Sequence, residues 1–493
     1  MRKRIIEFLS DKKQYVILTA IASGLYPLLY YYNSNFSLIN SWSQFMFFVT
    51  SYLLIPILIF IILNLVFKKL KILEKYRKYL LAVLNMCFFS FFILISTIGF
   101  KLKLLATVLL ISFFLGILMQ KYLKKIIVFQ LLLASLVAIK LVPDFFRHFN
   151  YSTEWMIQKD SIESVKFIKK PNVYVIQPDG YANFSELKKE PYNFDNSEFE
   201  NFLRTNDFKL YEGFRSNYFS TLSSNSSMFA MKHHYFNNPK PKSTELYNAR
   251  QIIVGNNPVV NIFKNNGYKT FLMLQKSYLL VNRAEINFDY CNIKHSELSF
   301  MARGFGVIKN LNKDFENVIA LNKETNNFYF IEQISPGHIS TYENTSKGKN
   351  LERKKYLESI EEANLFLKEI IGLINANDDN CIIVIVSDHG GFVGMNYTLE
   401  CKEKQIDENL IKSIFTTTLA IRWPNKTPPE YDEKLKTNVN LFRVLFTYLS
   451  DDKSYLNNLE DDKSYNVINS GAPYGIYELI DENGNIVFNR LSQ

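Results

Sequence analysis

Along the first 142 residues, apolar side chains run almost unbroken through five stretches, 14–32, 44–67, 79–99, 104–120 and 125–142. A hydrocarbon core of about 30 Å takes roughly 20 helical residues, so each stretch is predicted to be a transmembrane helix. From residue 171 the pattern changes to short β-rich runs alternating with amphipathic ones. Strands are expected at Val173–Gln177, Thr270–Leu274, Phe328–Ile334, Ile382–Ser387 and Thr417–Arg422, several of them apolar throughout, as strands buried on both faces are. Helices are expected over 351–376, where Leu357, Ile360, Ala363, Leu367, Ile370 and Ile371 recur among charges, and over Asn256–Asn266 and Val439–Leu449. The segment Tyr474–Phe488 reads as a hairpin. This alternation predicts an α/β domain with a mostly parallel sheet covered by helices, carried on an α-helical membrane anchor.

Charge adds orientation to this picture. Residues 1–150 hold 18 Lys and Arg against Glu7, Asp11, Glu74 and Asp144, a balance of +14, and the remainder carries −4. The pI near 9 therefore belongs to the membrane loops, and nucleic acid is set aside as a partner. Basic residues of short loops are retained on the cytoplasmic side. Arg2 to Lys13, Lys68 to Lys78 and Lys121 to Lys125 alternate with loops that are poor in them, which places the N-terminus in the cytoplasm and everything after residue 142 outside. The expected organisation is a transmembrane domain over 1–143, an interfacial linker over 144–170 and an exported catalytic domain over 171–493. In the linker, Phe145, Phe146, Trp155 and Met156 suit the membrane surface, although a plain connection would read the same way. No ionisable residue is buried mid-span as pumps require, which argues against transport. The four cysteines have neither metal-ligand spacing nor a disulfide framework.

In α/β sheets, ligands bind beyond the carboxyl ends of strands. Three strand ends are rich in chemistry: Pro178-Asp179-Gly180-Tyr181, Ser335-Pro336-Gly337-His338 and Asp388-His389-Gly390-Gly391. An Asp-Gly pair after a strand is ordinarily a turn, and a lone histidine is often a satisfied polar group. An apolar strand that delivers adjacent Asp and His into two glycines has few structural motives, and carboxylate with imidazole suits Zn²⁺ or Mn²⁺. The stretch Arg215-Ser-Asn-Tyr-Phe-Ser-Thr221 then enters a predicted helix. Thr221 could simply cap that helix, but the same position offers the positive dipole end and free amides to an alkoxide. His233 and His234, adjacent at a helix end, point apart and are not counted as ligands. Lys232 and Arg303 are further cations that could meet a phosphate.

Strand-Asp-Gly, Ser-Asn-Tyr-x-x-Thr-x-x-Ser, Pro-x-His and Ser-Asp-His-Gly, in this order over 171 to about 450, resemble sulfatase-like proteins of the alkaline phosphatase superfamily. A five-helix anchor before such a domain is similar to the lipoteichoic acid synthases and the lipid A phosphoethanolamine transferases. The resemblance implies that Asp179, Thr221, Asp388 and His389 hold one divalent ion, Zn or Mn by preference with Mg or Ca as alternatives. It implies that Thr221 is the catalytic nucleophile, that His338 steadies substrate or protonates the leaving group, and that Asn217 and His338 contact substrate. The implied reaction moves a phosphoethanolamine or phosphoglycerol headgroup from a membrane phospholipid donor to a surface glycan or lipid acceptor, at the outer face of a bacterial cytoplasmic membrane. Two departures stand out. The transferases usually have Glu at the position of Asp179, and the Cys/Ser-x-Pro-x-Arg signature of formylglycine sulfatases does not occur. Hydrolysis of phosphate or sulfate esters is the alternative activity, and a non-catalytic membrane scaffold the least favoured.

Overall fold

The computed structural model describes residues 2–302, 306–322 and 326–491; Arg303 therefore lies outside the described residues. The chain forms two compact units, one running through Asn150 and including Ser299–Ala302, the other comprising the remainder from Tyr151.

Each of the five apolar stretches is helical in the first unit: Val16–Asn35, Trp42–Lys69, Arg77–Thr97, Leu102–Met119 and Leu123–Phe149. Among the described residues, three segments are long and apolar enough to cross a membrane, namely Trp42–Lys69, Arg77–Thr97 and Leu102–Met156. The difference from five has two causes. The last two runs are joined by the single 3₁₀ turn Gln120–Tyr122, and Val16–Asn35 is diluted by Tyr26, Tyr30, Tyr31, Tyr32, Asn33 and Asn35. Within this unit Asn85 and Gln130 exchange amide hydrogen bonds of 2.9 and 3.0 Å, and Asn85 also donates to the Thr19 carbonyl at 3.0 Å. Such a paired amide satisfies polar groups that lipid could not, and it joins three helices.

The second unit is built on a seven-stranded sheet. In chain order its strands are β1 (Val173–Pro178), β2 (Lys209–Leu210), β3 (Lys269–Leu274), β4 (Tyr290–Cys291), β5 (Asn327–Gln333), β6 (Ile382–Val386) and β7 (Leu419–Arg422). Their spatial order is β2-β7-β6-β1-β5-β3-β4, parallel except where β7 meets β6 and β2. Both faces are covered, which explains the unbroken apolar runs. Tyr174 and Ile176 of β1 face the layer containing Ile360, Leu367 and Ile371 of the helix Lys349–Asn375. Val173 and Val175 face the opposite layer, where Phe229, Phe263 and Phe442 come from the helices Thr221–Ala230, Pro258–Asn265 and Leu441–Ser450. A separate antiparallel sheet contains β8 (Ser464–Ile468), β9 (Gly475–Ile480) and β10 (Ile486–Arg490). Its β9–β10 pair is the expected hairpin, closed by Asp481, whose carboxylate accepts from the amides of Asn483 and Asn485. Strands β2, β4 and β8 have no counterpart in the sequence reading, because two residues carry no period and Ser-Tyr-Asn-Val-Ile mixes polar and apolar positions.

Candidate active site

Strands β6, β1 and β5 are neighbours, so their carboxyl ends bring Asp388–His389, Asp179 and the loop to His338 to one edge. The loops are held by close backbone contact. Gly180 has φ +67°, its N–H donates to Asp388 Oδ1 at 3.1 Å, and a Cβ there would lie 2.0 Å from the Gly337 carbonyl oxygen. Only glycine fits that position. Gly337 N–H in turn donates to the Asp179 carbonyl at 2.7 Å.

Thr221 is the first residue of its helix and Ser220 is the N-cap, so the threonine hydroxyl is not used in capping. The half-buried Thr221 Oγ1 lies 3.2 Å from Asp179 Oδ1 and 3.4 Å from His389 Nε2. His389 Nε2 is 3.4 Å from Asp179 Oδ1 and 3.5 Å from Asp388 Oδ2. His389 Nδ1 donates to the Gly390 carbonyl at 2.8 Å, which fixes the ring and turns Nε2 toward the carboxylates. Asp388 Oδ2 is fully buried with no hydrogen-bond partner among the described residues. Ligand atoms of Asp179, Asp388 and His389 all lie within 4.8 Å of one another, a buried set. Two carboxylates, an imidazole nitrogen aimed between them and an orphaned oxygen fit a divalent cation.

A sequence model of the family described as Sulfatase matches residues 196–450, just over half of the chain. The chain belongs to the sulfatase family. It is an enzyme of the alkaline phosphatase superfamily. Among solved structures it is similar to the C-terminal periplasmic domain of EcEptC from Escherichia coli, with 15% identity and a TM-score of 0.41 over 64% of this chain and 93% of that one. It is also similar to the integral membrane protein lipooligosaccharide phosphoethanolamine transferase A from Neisseria meningitidis, with 14% identity and a TM-score of 0.40 over 88% and 95% of the two chains. No curated protein matches the sequence significantly.

Charge in this sulfatase-family centre is finely opposed. Burial acts to raise the pKa of Asp179, but the hydrogen bond and charge of His389 outweigh it and hold the group down to about 2. Asp388 moves the other way, up to about 6, chiefly because it is buried. Burial acts to lower His389, yet Asp388 and Asp179 together raise it to about 9. Without a metal ion, the proton on His389 is what compensates the two carboxylates.

His338 stands beside this set, with ring centroids of His338 and His389 5.8 Å apart. Its Nδ1 donates to the Ile339 carbonyl at 2.6 Å, leaving Nε2 as an acceptor. Its side chain opens to solvent, while desolvation by the surrounding protein keeps its pKa below the usual imidazole value. Asn217 is elsewhere in function: it is fully buried, donates to the Lys463 carbonyl at 2.8 Å and accepts from Val439 N–H at 2.9 Å, so it fastens the loop before Thr221. His233 and His234 are likewise spent on backbone, contacting the carbonyls of Asp461 and Ser223. Lys232 is paired with Glu460 at 2.5 Å and is not a free cation. Sequence reasoning missed Tyr356, whose hydroxyl donates to the Gly180 carbonyl at 2.8 Å and accepts from Ala182 N–H at 3.0 Å. It sits among the charges of a long helix, where nothing in the local pattern marks it.

Proposed function

We propose that this enzyme transfers a phospho-headgroup from a membrane phospholipid to a hydroxyl of a surface glycan or lipid, through a covalent intermediate on Thr221. The observation that carries the reading is the Thr221 hydroxyl, at the start of a helix and 3.2 Å and 3.4 Å from Asp179 and His389. Asp179, Asp388, His389 and the Thr221 oxygen would hold the divalent ion, of the zinc or manganese class, which when bound acidifies a hydroxyl and neutralises phosphoryl charge. Thr221 Oγ1 forms the new bond to phosphorus, and the bond from phosphorus to the lipid oxygen breaks. Diacylglycerol leaves with the proton that the Thr221 hydroxyl gives up, relayed by His338 Nε2. An acceptor hydroxyl then gives its proton to His338 Nε2 and attacks phosphorus, the bond from phosphorus to Thr221 Oγ1 breaks, and that proton passes to Oγ1. The free amides of the helix start are placed to receive the transferred anion.

The apolar helices of the first unit suit a lipid donor, since a site tethered at a membrane meets its substrate there. The alternation of basic loops supports a bacterial cytoplasmic membrane, crossed several times, with the catalytic unit on its outer face. Hydrolysis of a phosphate or sulfate ester is the second reading, favoured by Asp at position 179; water would then take the acceptor's place. The deciding experiment follows diacylglycerol release from labelled phosphatidylethanolamine and phosphatidylglycerol in detergent with Mn²⁺ or Zn²⁺, for the intact chain and Thr221→Ala. Release by the intact chain alone supports transfer and names the donor. Release from neither lipid removes the transferase reading in favour of the ester hydrolase.

A further inference from the structure

Beneath the nucleophile lies a second polar layer that the reaction above does not use. Gln177 of β1 and Glu332 of β5 are directly paired in register. By strand alternation they share the face of Val173, Val175, Phe328 and Phe330, against which the helix Thr221–Ala230 packs. That helix runs antiparallel to the strands. Phe229 meets Phe330 with ring centroids 5.0 Å apart, and Thr221, two turns earlier, meets Asp179 at the strand ends. One helical turn spans about 5.4 Å and two strand residues about 6.6 Å, so Asn225, one turn before Phe229, is set over Glu332 and Gln177. All three side chains are fully buried. Both oxygens of Glu332, and both the oxygen and nitrogen of Gln177 and of Asn225, have no hydrogen-bond partner among the described residues.

Six orphaned polar atoms on three facing residues are far outside what a folded interior tolerates unless something satisfies them. An ion between Asp179, Asp388 and His389 accounts for Asp388 Oδ2 but for none of these. We propose that Glu332, Gln177 and Asn225 form a second cation site, taking a hard, oxygen-liganded divalent ion such as Mg²⁺ or Mn²⁺ through the carboxylate and the two amide oxygens. The donor set contains no nitrogen or sulfur ligand, which selects this class over zinc. Hard ions of this kind keep part of their water, and such water is an acceptor for the amide N–H groups that remain. Burial, reinforced by the charges of Asp179 and Asp388, pushes the Glu332 pKa well above the usual carboxylate range, a burden that a neighbouring cation relieves.

The test reads metal content and position, not turnover, so it stands apart from the proposed transfer reaction. The full-length chain in detergent is stripped with chelator, reloaded with Mn²⁺ and analysed by inductively coupled plasma mass spectrometry. Two Mn²⁺ per wild-type chain falling to one in Glu332→Gln is the expected result. Anomalous scattering from Mn²⁺ in wild-type crystals is measured in parallel, so the answer does not depend on the variant folding. A peak among Gln177, Asn225 and Glu332 supports the site. A single peak at Asp179, Asp388 and His389, or two ions retained in Glu332→Gln, overturns it.

Discussion

Acid is expected to weaken divalent metal binding in this enzyme over a range where ordinary carboxylate ligands are indifferent to pH. Metal coordination needs the lone pair of His389 Nε2, and in the metal-free site that nitrogen carries a proton whose pKa is raised to about 9 by Asp388 and Asp179 against the opposing effect of burial. The ligand-competent form is therefore about 1% of the population at pH 7 and about 10% at pH 8, since each pH unit below the pKa is a factor of ten. From pH 8 down to pH 6 the apparent affinity should fall about 100-fold, roughly 2.7 kcal/mol. Below pH 6 the slope steepens toward two protons, as Asp388, raised to about 6 mainly by burial, also becomes protonated. Asp179, held down to about 2, contributes nothing in this range. The assay is calorimetric titration of chelator-stripped full-length chain with Mn²⁺, repeated in buffers of different ionisation enthalpy so that released protons are counted. Close to one proton per ion at pH 7 is expected. An affinity flat between pH 6 and 8, with no proton released, would refute the assignment of His389 as a protonated ligand in waiting.

Thr221→Ala should abolish headgroup release while retaining the metal through Asp179, Asp388 and His389, and Thr221→Ser should keep measurable activity because the hydroxyl survives; metal content and diacylglycerol release check both. Mass spectrometry of the chain incubated with donor lipid and no acceptor should find the added phospho-headgroup on the peptide containing Thr221. Gly180→Ala forces a Cβ to within 2.0 Å of the Gly337 carbonyl oxygen at positive φ, and should lower stability by about 2–4 kcal/mol in denaturant unfolding and displace Asp179. Arg443, fully buried and paired with Asp160 Oδ2 at 2.6 Å and Gln158 Oε1 at 2.8 Å, should cost about 3–5 kcal/mol when replaced by Ala, because Asp160 is left without its partner.

Much of the gathering of these residues was readable from the chain because three of the motifs directly follow an apolar strand. That Asp179, His338 and Asp388–His389 gather at one edge follows from the rule that parallel strands present their carboxyl ends together, whereas Thr221 offered only a hydroxyl at a helix start, and its proposed role came from the family resemblance. What escaped notice had no such punctuation. Asn217 shares a motif with Thr221, yet its neighbours Lys463 and Val439 arrive from more than 200 residues downstream and absorb its amide. Gln177, Asn225 and Glu332 read as ordinary polar positions in a strand, a helix and a strand, and only the packing of that helix against β1 and β5 brings them together. In the membrane half, hydropathy located the five long helices, but it missed the polar helix Arg2–Ser10 and could not foresee that the last two runs continue through one 3₁₀ turn.

The loop carrying Thr221 is gripped by β8: Tyr465 N–H donates to the Asn217 carbonyl at 2.8 Å, the Ser464 hydroxyl to the Ser216 carbonyl at 2.6 Å, and Asn217 to Lys463. These partners follow Thr221 by 242 to 244 residues in the chain. Asp179, Thr221, Asp388 and His389 therefore all precede in the chain the strand that fastens the Thr221 loop. On the proposed reading of Thr221, competence is thereby deferred until β8 closes the loop.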